Sequence, residues 1–458
     1  MGHPRVIVIG AGPSGVRCAE TLVAAGLRPT VVDENRRDGG QIYRRQPDNF
    51  TRPYAKLYGT VAGSAQALHE SFDALRDKID YLPETLAWNI AGQKLHVVKD
   101  DLSSALPFDA LVICSGATDR LMPVKGWHQA GTYSLGASQI ALKAQACAIG
   151  RQVVFLGTGP LLYLVASQYV KAGANVAAVL DTSPLMRRVA ALPKLLARPS
   201  VLLNGLGLVA GLKRAGVPVL TGVTPLEITG SPANGVQGVV VRDGRGNERS
   251  FECDAVAMGY HLRPETQLAD LARCAFRFDQ ETRQWLPEVG EDGRSSVPGV
   301  YLAGDGMRVL GADGAEIGGR LAAMAVLKDL RLNVPEEELQ RLRAEQAGME
   351  RFRRGLAQAF PWPVEQAAQL PDEAIVCRCE AITAGELRRV VCEMGAQEAN
   401  RAKAFSRVGM GRCQGRYCGH AGAEVIAHAA GVPVEQVGRL RGQAPIKPLS
   451  MAVREEVQ

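Results

Sequence analysis

The sequence predicts an α/β protein: two Rossmann-like dinucleotide-binding domains followed by a small, mainly helical cysteine domain. Three observations carry this reading. A GxGxxG loop lies between strand and helix patterns at Gly10, Gly12 and Gly15, and a second strand–glycine–helix pattern surrounds Gly157 and Gly159. Near the C-terminal end, Cys377 and Cys379 form CxC, and Cys413 and Cys418 form CxxxxC. With 458 residues, 46% of them hydrophobic, the chain is long enough to bury several cores. Its net charge of +6 comes from dispersed bases without interleaved aromatics, so nucleic acid is not an expected partner.

The first unit, residues 5–34, reads strand (RVIVIG), loop (AGPSG), helix (VRCAETLVAAG) and strand (LRPTVVDE). Its three glycines stand where the turn is tight, where a pyrophosphate approaches and where the helix packs on the strand. Pro13 and Ser14 open the helix, whose N-terminus faces the phosphates. Asp33, with Glu34 beside it, ends the second strand, the place from which a carboxylate accepts a ribose hydroxyl. Gly39, Gly40 and Gln41 follow, in the region where a disulfide reductase would carry its redox CxxxxC. No cysteine is there, which argues against that chemistry.

Two later segments select FAD as the expected dinucleotide. Residues 110–117 (ALVICSGA) form an apolar strand ending in a small-residue turn at Gly116, and residues 300–307 (VYLAGDGM) end in Gly304 and Asp305. They resemble the ATG-like and GD motifs of glutathione-reductase-type flavoproteins with two dinucleotide domains. The resemblance implies that Asp305 binds the ribityl chain. Gly318 and Gly319 open an apolar helix whose N-terminus would stabilise negative charge on a reduced flavin.

The second unit reads RQVVFLG, TGPLLYLVASQYVKAG and ANVAAVLD. Gly157 and Gly159 repeat the first two loop glycines, Leu162 replaces the third, and Asp181 ends the second strand. NAD(P) binding, another nucleotide, and a domain that has lost its ligand all remain open.

Residues 186–216 mix Arg and Lys with leucine, broken at Pro193 and Pro199. Ordinary packed helices, a membrane-surface helix and a partner-binding face are the alternatives. No apolar run reaches the roughly 18 residues that span a bilayer. The first residues run directly into a strand without a cleavable leader, and ten cysteines suit a reducing compartment. A cytoplasmic protein is expected, with membrane association at the surface as the alternative.

After residue 330 a charged helix pattern runs to Phe360, followed by a proline-containing linker, PWPVEQAAQLPDE. The chain thus divides into 1–125 (FAD-binding domain, first part), 126–265 (second nucleotide-binding-like domain) and 266–332 (FAD-binding domain, second part). Residues 333–372 are helix and linker, 373–435 the cysteine domain, and 436–458 a C-terminal tail. Helices are expected over 383–396 and 421–431, with Cys392 buried inside the first.

The cysteine spacing places two close thiolate pairs 33 residues apart, as a four-thiolate iron–sulfur site needs. Zinc and ordinary thiols are the rivals, although CxC is tight for a tetrahedral ion. Gly409, Gly411, Gly415 and Gly419 free the backbone to aim N–H groups at sulfur, and Arg378, Arg412 and Arg416 add positive charge. His420 follows a cysteine and His261 ends a strand pattern, but the seven histidines form no catalytic constellation, and the catalytic residues are unassigned.

IGAGPSG, VVDEN with GGQIYRRQP, LAGDG, VCRCE and GMGRCQGRYCG together resemble the flavin subunit of multi-subunit amino-acid and imino-acid dehydrogenases. That family includes the A subunit of opine oxidase, D-hydroxyproline dehydrogenase and the flavin subunit of hydrogen cyanide synthase. The last segment is similar to bacterioferritin-associated ferredoxin, a [2Fe-2S] domain. The resemblance implies an oxidoreductase subunit whose enzyme oxidises the C–N bond of an amino acid, imino acid or opine. It implies a partner subunit of D-amino-acid-oxidase type with its own FAD, and leaves room for a small third subunit. A self-contained NAD(P)H-dependent FAD oxidoreductase, a component of a cyanide-forming enzyme that uses glycine, and an iron-storage partner are the competing expectations.

Overall fold

The computed structural model describes residues 4–455. Strand Val6–Ile9 is four consecutive apolar residues, all buried, which suits a strand covered on both faces. It is the centre of a five-stranded sheet in the order Val300–Leu302, Ala110–Ile113, Val6–Ile9, Thr30–Val32, Asp80–Leu82, parallel throughout. Helices Pro13–Ala24 and Gly311–Asp329 pack against each other on one face. On the other lies an antiparallel meander, Leu86–Ala91, Lys94–Lys99 and Leu102–Pro107, whose Leu95 and Val97 join Ile7 and Ile113 in one core.

A second parallel sheet repeats the plan in the order Val219–Thr221, Asn175–Asp181, Gln152–Thr158, Ala255–Tyr260, Thr132–Ser134. Helix Pro160–Lys171 covers one face, and the antiparallel sheet Thr224–Ser231, Gly235–Arg242, Glu248–Glu252 covers the other. The chain crosses between the two domains on paired strands Ala117–Asp119 and Leu262–Pro264.

The last domain starts with a hairpin, Ile375–Cys377 and Ile382–Thr383, and continues in helices Ala384–Met394, Ala399–Ser406 and Gly419–Ala430. Thr383 and Glu386 form a capping box at the first helix, and Gly395 ends it in the left-handed conformation, a residue earlier than the sequence predicts. Cys392 is a correction. It is exposed, because the buried face of this helix is Leu387, Val390 and Val391, and Cys392 lies about 100° beyond Val391.

The expected linker is likewise packed. Trp362 is buried edge-on against Tyr260, residues Val364–Ala368 form a short helix, and Ala367 and Leu370 enter a core shared by the second domain and the cysteine domain. Three prolines mark the turns of this segment, but its aromatic and aliphatic side chains bury it. The C-terminal tail returns to the first domain, where Arg454–Glu455 pairs with Leu102–Pro107.

Candidate functional site

The glycine loop is a cradle closed to side chains. A Cβ on Gly15 would sit 1.7 Å from the Gly10 carbonyl oxygen, and one on Gly10 would sit 2.5 Å from the Cys114 carbonyl oxygen. Pro13 stands at the first turn of the helix, and Ser14 donates to the Cys114 sulfur at 3.4 Å. Asp33 accepts from the Ala11 N–H at 2.6 Å and from the Asn35 N–H at 2.6 Å, so its carboxylate lies against the loop. Glu34 points outward to Lys447, and Gln41 accepts from Arg44 at 2.9 Å.

The GD turn reaches the same cradle. A Cβ on Gly304 would press on Ser14 at 2.7 Å, one on Gly306 would meet Ser115 Oγ at 2.6 Å, and one on Gly318 would meet the Gly304 nitrogen at 3.1 Å. One oxygen of Asp305 accepts from the N–H groups of Leu310 and Gly311 at 2.8 and 3.0 Å, and the other has no donor among the described residues. Glycine backbones, a helix N-terminus and a half-committed carboxylate fit a dinucleotide with a ribityl chain. The structure thus brings the turns of Gly10–Gly15, Gly40, Gly116 and Gly304–Asp305 together with Gly318; Gly318 and Gly319 do not open their helix as the sequence predicts but lie in its third turn, because the helix already starts at Gly311.

The second loop differs. Asp181 is fully buried and accepts from Thr158 Oγ1 at 2.8 Å, Tyr163 OH at 2.7 Å, the Ser183 N–H at 2.7 Å and Arg188 at 2.6 Å. Four donors saturate a carboxylate, so Asp181 has no free lone pair directed to a ribose. Leu162 is wholly buried in the helix-side core, where a glycine would leave a void. Beyond the loop, Gly159 lies against the His261 ring, and His261 Nε2 is 2.5 Å from the Phe360 carbonyl. His261 therefore serves a packed segment, and burial pushes it down to about 4. A cleft lined by Arg120, His261, Arg308, Leu356, Phe360 and Trp362 remains at this edge.

The four clustered cysteines converge. Cys418 lies beside both Cys377 and Cys413, and hydrogen bonding with its thiol lowers them to about 6 and about 5. Cys379 contacts Cys413. The N–H groups of Gly409 and Glu380 point at Cys377, and those of Gly415 and Tyr417 at Cys413. The four thiols form one chain of contacts, Cys377–Cys418–Cys413–Cys379. Four sulfurs with converging peptide N–H groups are the donor chemistry of an iron–sulfur cluster. Gly411 has no room for a side chain beside Cys379, and Leu440 of the tail packs over Gly409 and Gly415. Of the three arginines, Arg412 is exposed, Arg378 lies over the Trp127 ring, and Arg416 is buried in an ion pair.

That ion pair joins the two sites. Glu265 accepts from Arg416 Nε at 2.8 Å and from Arg263 at 3.1 Å, while its N–H donates to the Gly116 carbonyl at 2.9 Å and its own carbonyl accepts from Ser115 Oγ at 2.6 Å. Arg416 continues to the Cys413 carbonyl at 3.3 Å. Two residues thus separate the expected flavin turn from a cluster cysteine.

Comparison with known proteins agrees with this geometry. The pyridine nucleotide-disulphide oxidoreductase family matches residues 4–326. The chain belongs to this family. Its C-terminal part, residues 375–428, matches the BFD-like [2Fe-2S] binding domain, and the protein is an oxidoreductase carrying FAD and a [2Fe-2S] cluster. It is 38% identical to the A subunit of opine oxidase from Rhizobium meliloti, over 98% of this chain and 86% of that one. It is 29% identical to the HcnB subunit of hydrogen cyanide synthase from Pseudomonas aeruginosa, over 97% of each. L-proline dehydrogenase from P. horikoshii shares the fold, with a TM-score of 0.71 at 19% identity over 99% of this chain and 79% of that one.

Within this oxidoreductase fold, sequence reading missed Glu265, Arg263, Asp270 and Trp362. Only Glu265 left a signal, as an acid directly after the second crossover in HLRPE. Asp270 holds the tail: it accepts from Arg439 at 2.8 Å, Arg441 at 3.0 Å and the Gly442 N–H at 2.5 Å.

Proposed function

We propose that this chain is the FAD- and [2Fe-2S]-containing subunit of a hetero-oligomeric dehydrogenase that oxidises the C–N bond of an amino acid, imino acid or opine. It takes electrons from a partner flavin subunit of D-amino-acid-oxidase type and passes them to an acceptor, in the cytoplasm or at its membrane boundary. The observation that carries the reading is the Gly116–Glu265–Arg416–Cys413 connection, which sets an expected flavin turn next to a cluster ligand. FAD, when bound, supplies two-electron chemistry, and the cluster supplies one-electron chemistry.

In this reading Gly10, Gly12, Pro13, Ser14, Gly15, Asp33, Gly40, Gly116, Gly304, Asp305 and Gly318 shape the FAD site, with Glu34 and Gln41 at its rim. Cys377, Cys379, Cys413 and Cys418 hold the cluster. Saturation of Asp181 supports a second Rossmann unit, around Gly157 and Gly159, that does not bind NAD(P)H. Two measurements test the proposal. Purification with a co-expressed partner should yield a complex active on one of these amines, whereas the chain alone should be inactive. Stopped-flow mixing of the chain with NADH and NADPH should leave its flavin oxidised; rapid bleaching would establish the self-contained NAD(P)H reading instead.

A further inference from the structure

From residue 182 to 226 the chain carries six basic residues and not one Asp or Glu, although acids make up 47 of its 458 residues. This stretch folds into helices Leu185–Leu195 and Pro199–Arg214. One side of the pair is used inward. Ala191 and Leu195 pack on Ala359 and neighbouring residues, Arg188 serves Asp181, Arg198 pairs with Asp313, and Leu212 enters the core of the second domain.

A neighbouring side lies open. Leu185, Val189, Leu192 and Leu196 are 59%, 50%, 41% and 59% exposed, and their spacing of four, three and four residues puts them in one stripe. Met186, Val201, Leu203 and Leu206 extend the apolar area, and Gly205, Gly207 and Gly211 have nothing within 4 Å of where a Cβ would stand. Arg187 and Lys194 stand on the far side of the same helix from the stripe, and Lys213 and Arg214 end the next. None of these four has an acidic partner within 4 Å among the described residues.

Eight exposed large apolar side chains on one helix pair are unusual on a surface meant only for water. Its chemistry selects the occupant. A protein interface of this size normally centres on aromatic and arginine anchors with both signs of charge at the rim. Residues 185–216 contain no aromatic and no acid. A leucine stripe on one face with unpaired Lys and Arg on the polar face matches a helix lying in the plane of an anionic bilayer, its apolar side chains in the acyl boundary and its bases drawn to the headgroup charge. No helix of the described residues is long and apolar enough to cross a membrane.

We propose that the helix pair 185–214 is a docking surface for an anionic phospholipid membrane. The test is cosedimentation of the purified full-length protein, and of its complex with any partner subunit, with vesicles of phosphatidylcholine alone or mixed with phosphatidylglycerol. Both preparations should bind the mixed vesicles at least tenfold more tightly than the neutral ones, and less tightly as salt is raised. A Leu185→Gln/Leu192→Gln/Leu196→Gln variant and an Arg187→Glu/Lys194→Glu variant should each lose at least tenfold in binding while keeping the flavin absorbance of the parent. These positions are exposed, so the fold does not depend on them. The proposal is overturned if the parent stays in solution with anionic vesicles, or if both variants bind as it does. It is also overturned if vesicle binding disappears in the complex with a partner, since the stripe is then a protein interface.

Discussion

At Gly15 a single methyl group decides whether the first helix can lie on its strand, because the added carbon would be 1.7 Å from a carbonyl oxygen. Gly15→Ala should cost about 1–3 kcal/mol, as overpacking does, and lower the FAD content of the purified protein; thermal unfolding and flavin absorbance measure both. Glu265 acts differently, through charge and position. Its carboxylate sits between Arg263 and Arg416, which outweigh burial and hold it below the ordinary carboxylate value. Glu265→Gln removes a negative charge close to the cluster loop. The reduction potential of the cluster should rise, by on the order of 1 kcal/mol of electron affinity, and electron transfer from flavin to cluster should slow. Potentiometric titration followed by EPR reads the first effect, and unchanged potentials would reduce Glu265 to a packing residue. The contrast explains what sequence discloses at this scale. Gly15 is legible because its reason lies within five residues. The ion pair of Glu265 with Arg416 spans 151 residues and leaves no local pattern.

Elements show the same division. The GxGxxG helix, the GD turn and the capped helix at Thr383 were legible, since each is set by a short motif with its own geometry. The segment 361–373 was not, because prolines suggest a linker and only the fold supplies Tyr260 and Arg120 for Trp362 to pack upon. The tail depends on Asp270 in the same way. Burial alone would raise the Asp270 carboxyl, but hydrogen bonds from Arg439 and Arg441 outweigh it and hold it at about 2 against an ordinary 3.8. The folded value lies below the unfolded one, so the stabilisation is complete above pH about 4 and is lost as pH falls towards about 2. It amounts to about 2 kcal/mol. Tail docking should therefore weaken over that acid range. At neutral pH, Asp270→Asn should speed tryptic cleavage after Arg439 and Arg441, while an unchanged digestion rate would show that Asp270 does not clamp the tail.

On the scale of the whole molecule, two Rossmann-like units have diverged in what their carboxyl edges do. The first keeps its loop open beside Gly40 and the GD turn. The second spends Asp181 on its own side chains and lies against Phe360 and Trp362. The cysteine domain is set over the crossover that joins them and is anchored by a core it shares with the second unit. Under the function proposed above, this arrangement gives the flavin an outlet in the cluster and leaves substrate chemistry to another subunit. The fold class was legible from two glycine loops and four cysteines, but the closeness of flavin turn and cluster loop was not, since domain placement depends on contacts among distant segments. Anaerobic addition of the amine substrate, followed by EPR of the cluster, tests the central claim most directly. The account predicts a reduced-cluster signal from the complex with its partner, no signal from the chain alone, and no signal from the complex carrying Cys413→Ser. A reduced-cluster signal from the isolated chain, or a turning-over complex whose cluster stays oxidised throughout, would contradict it.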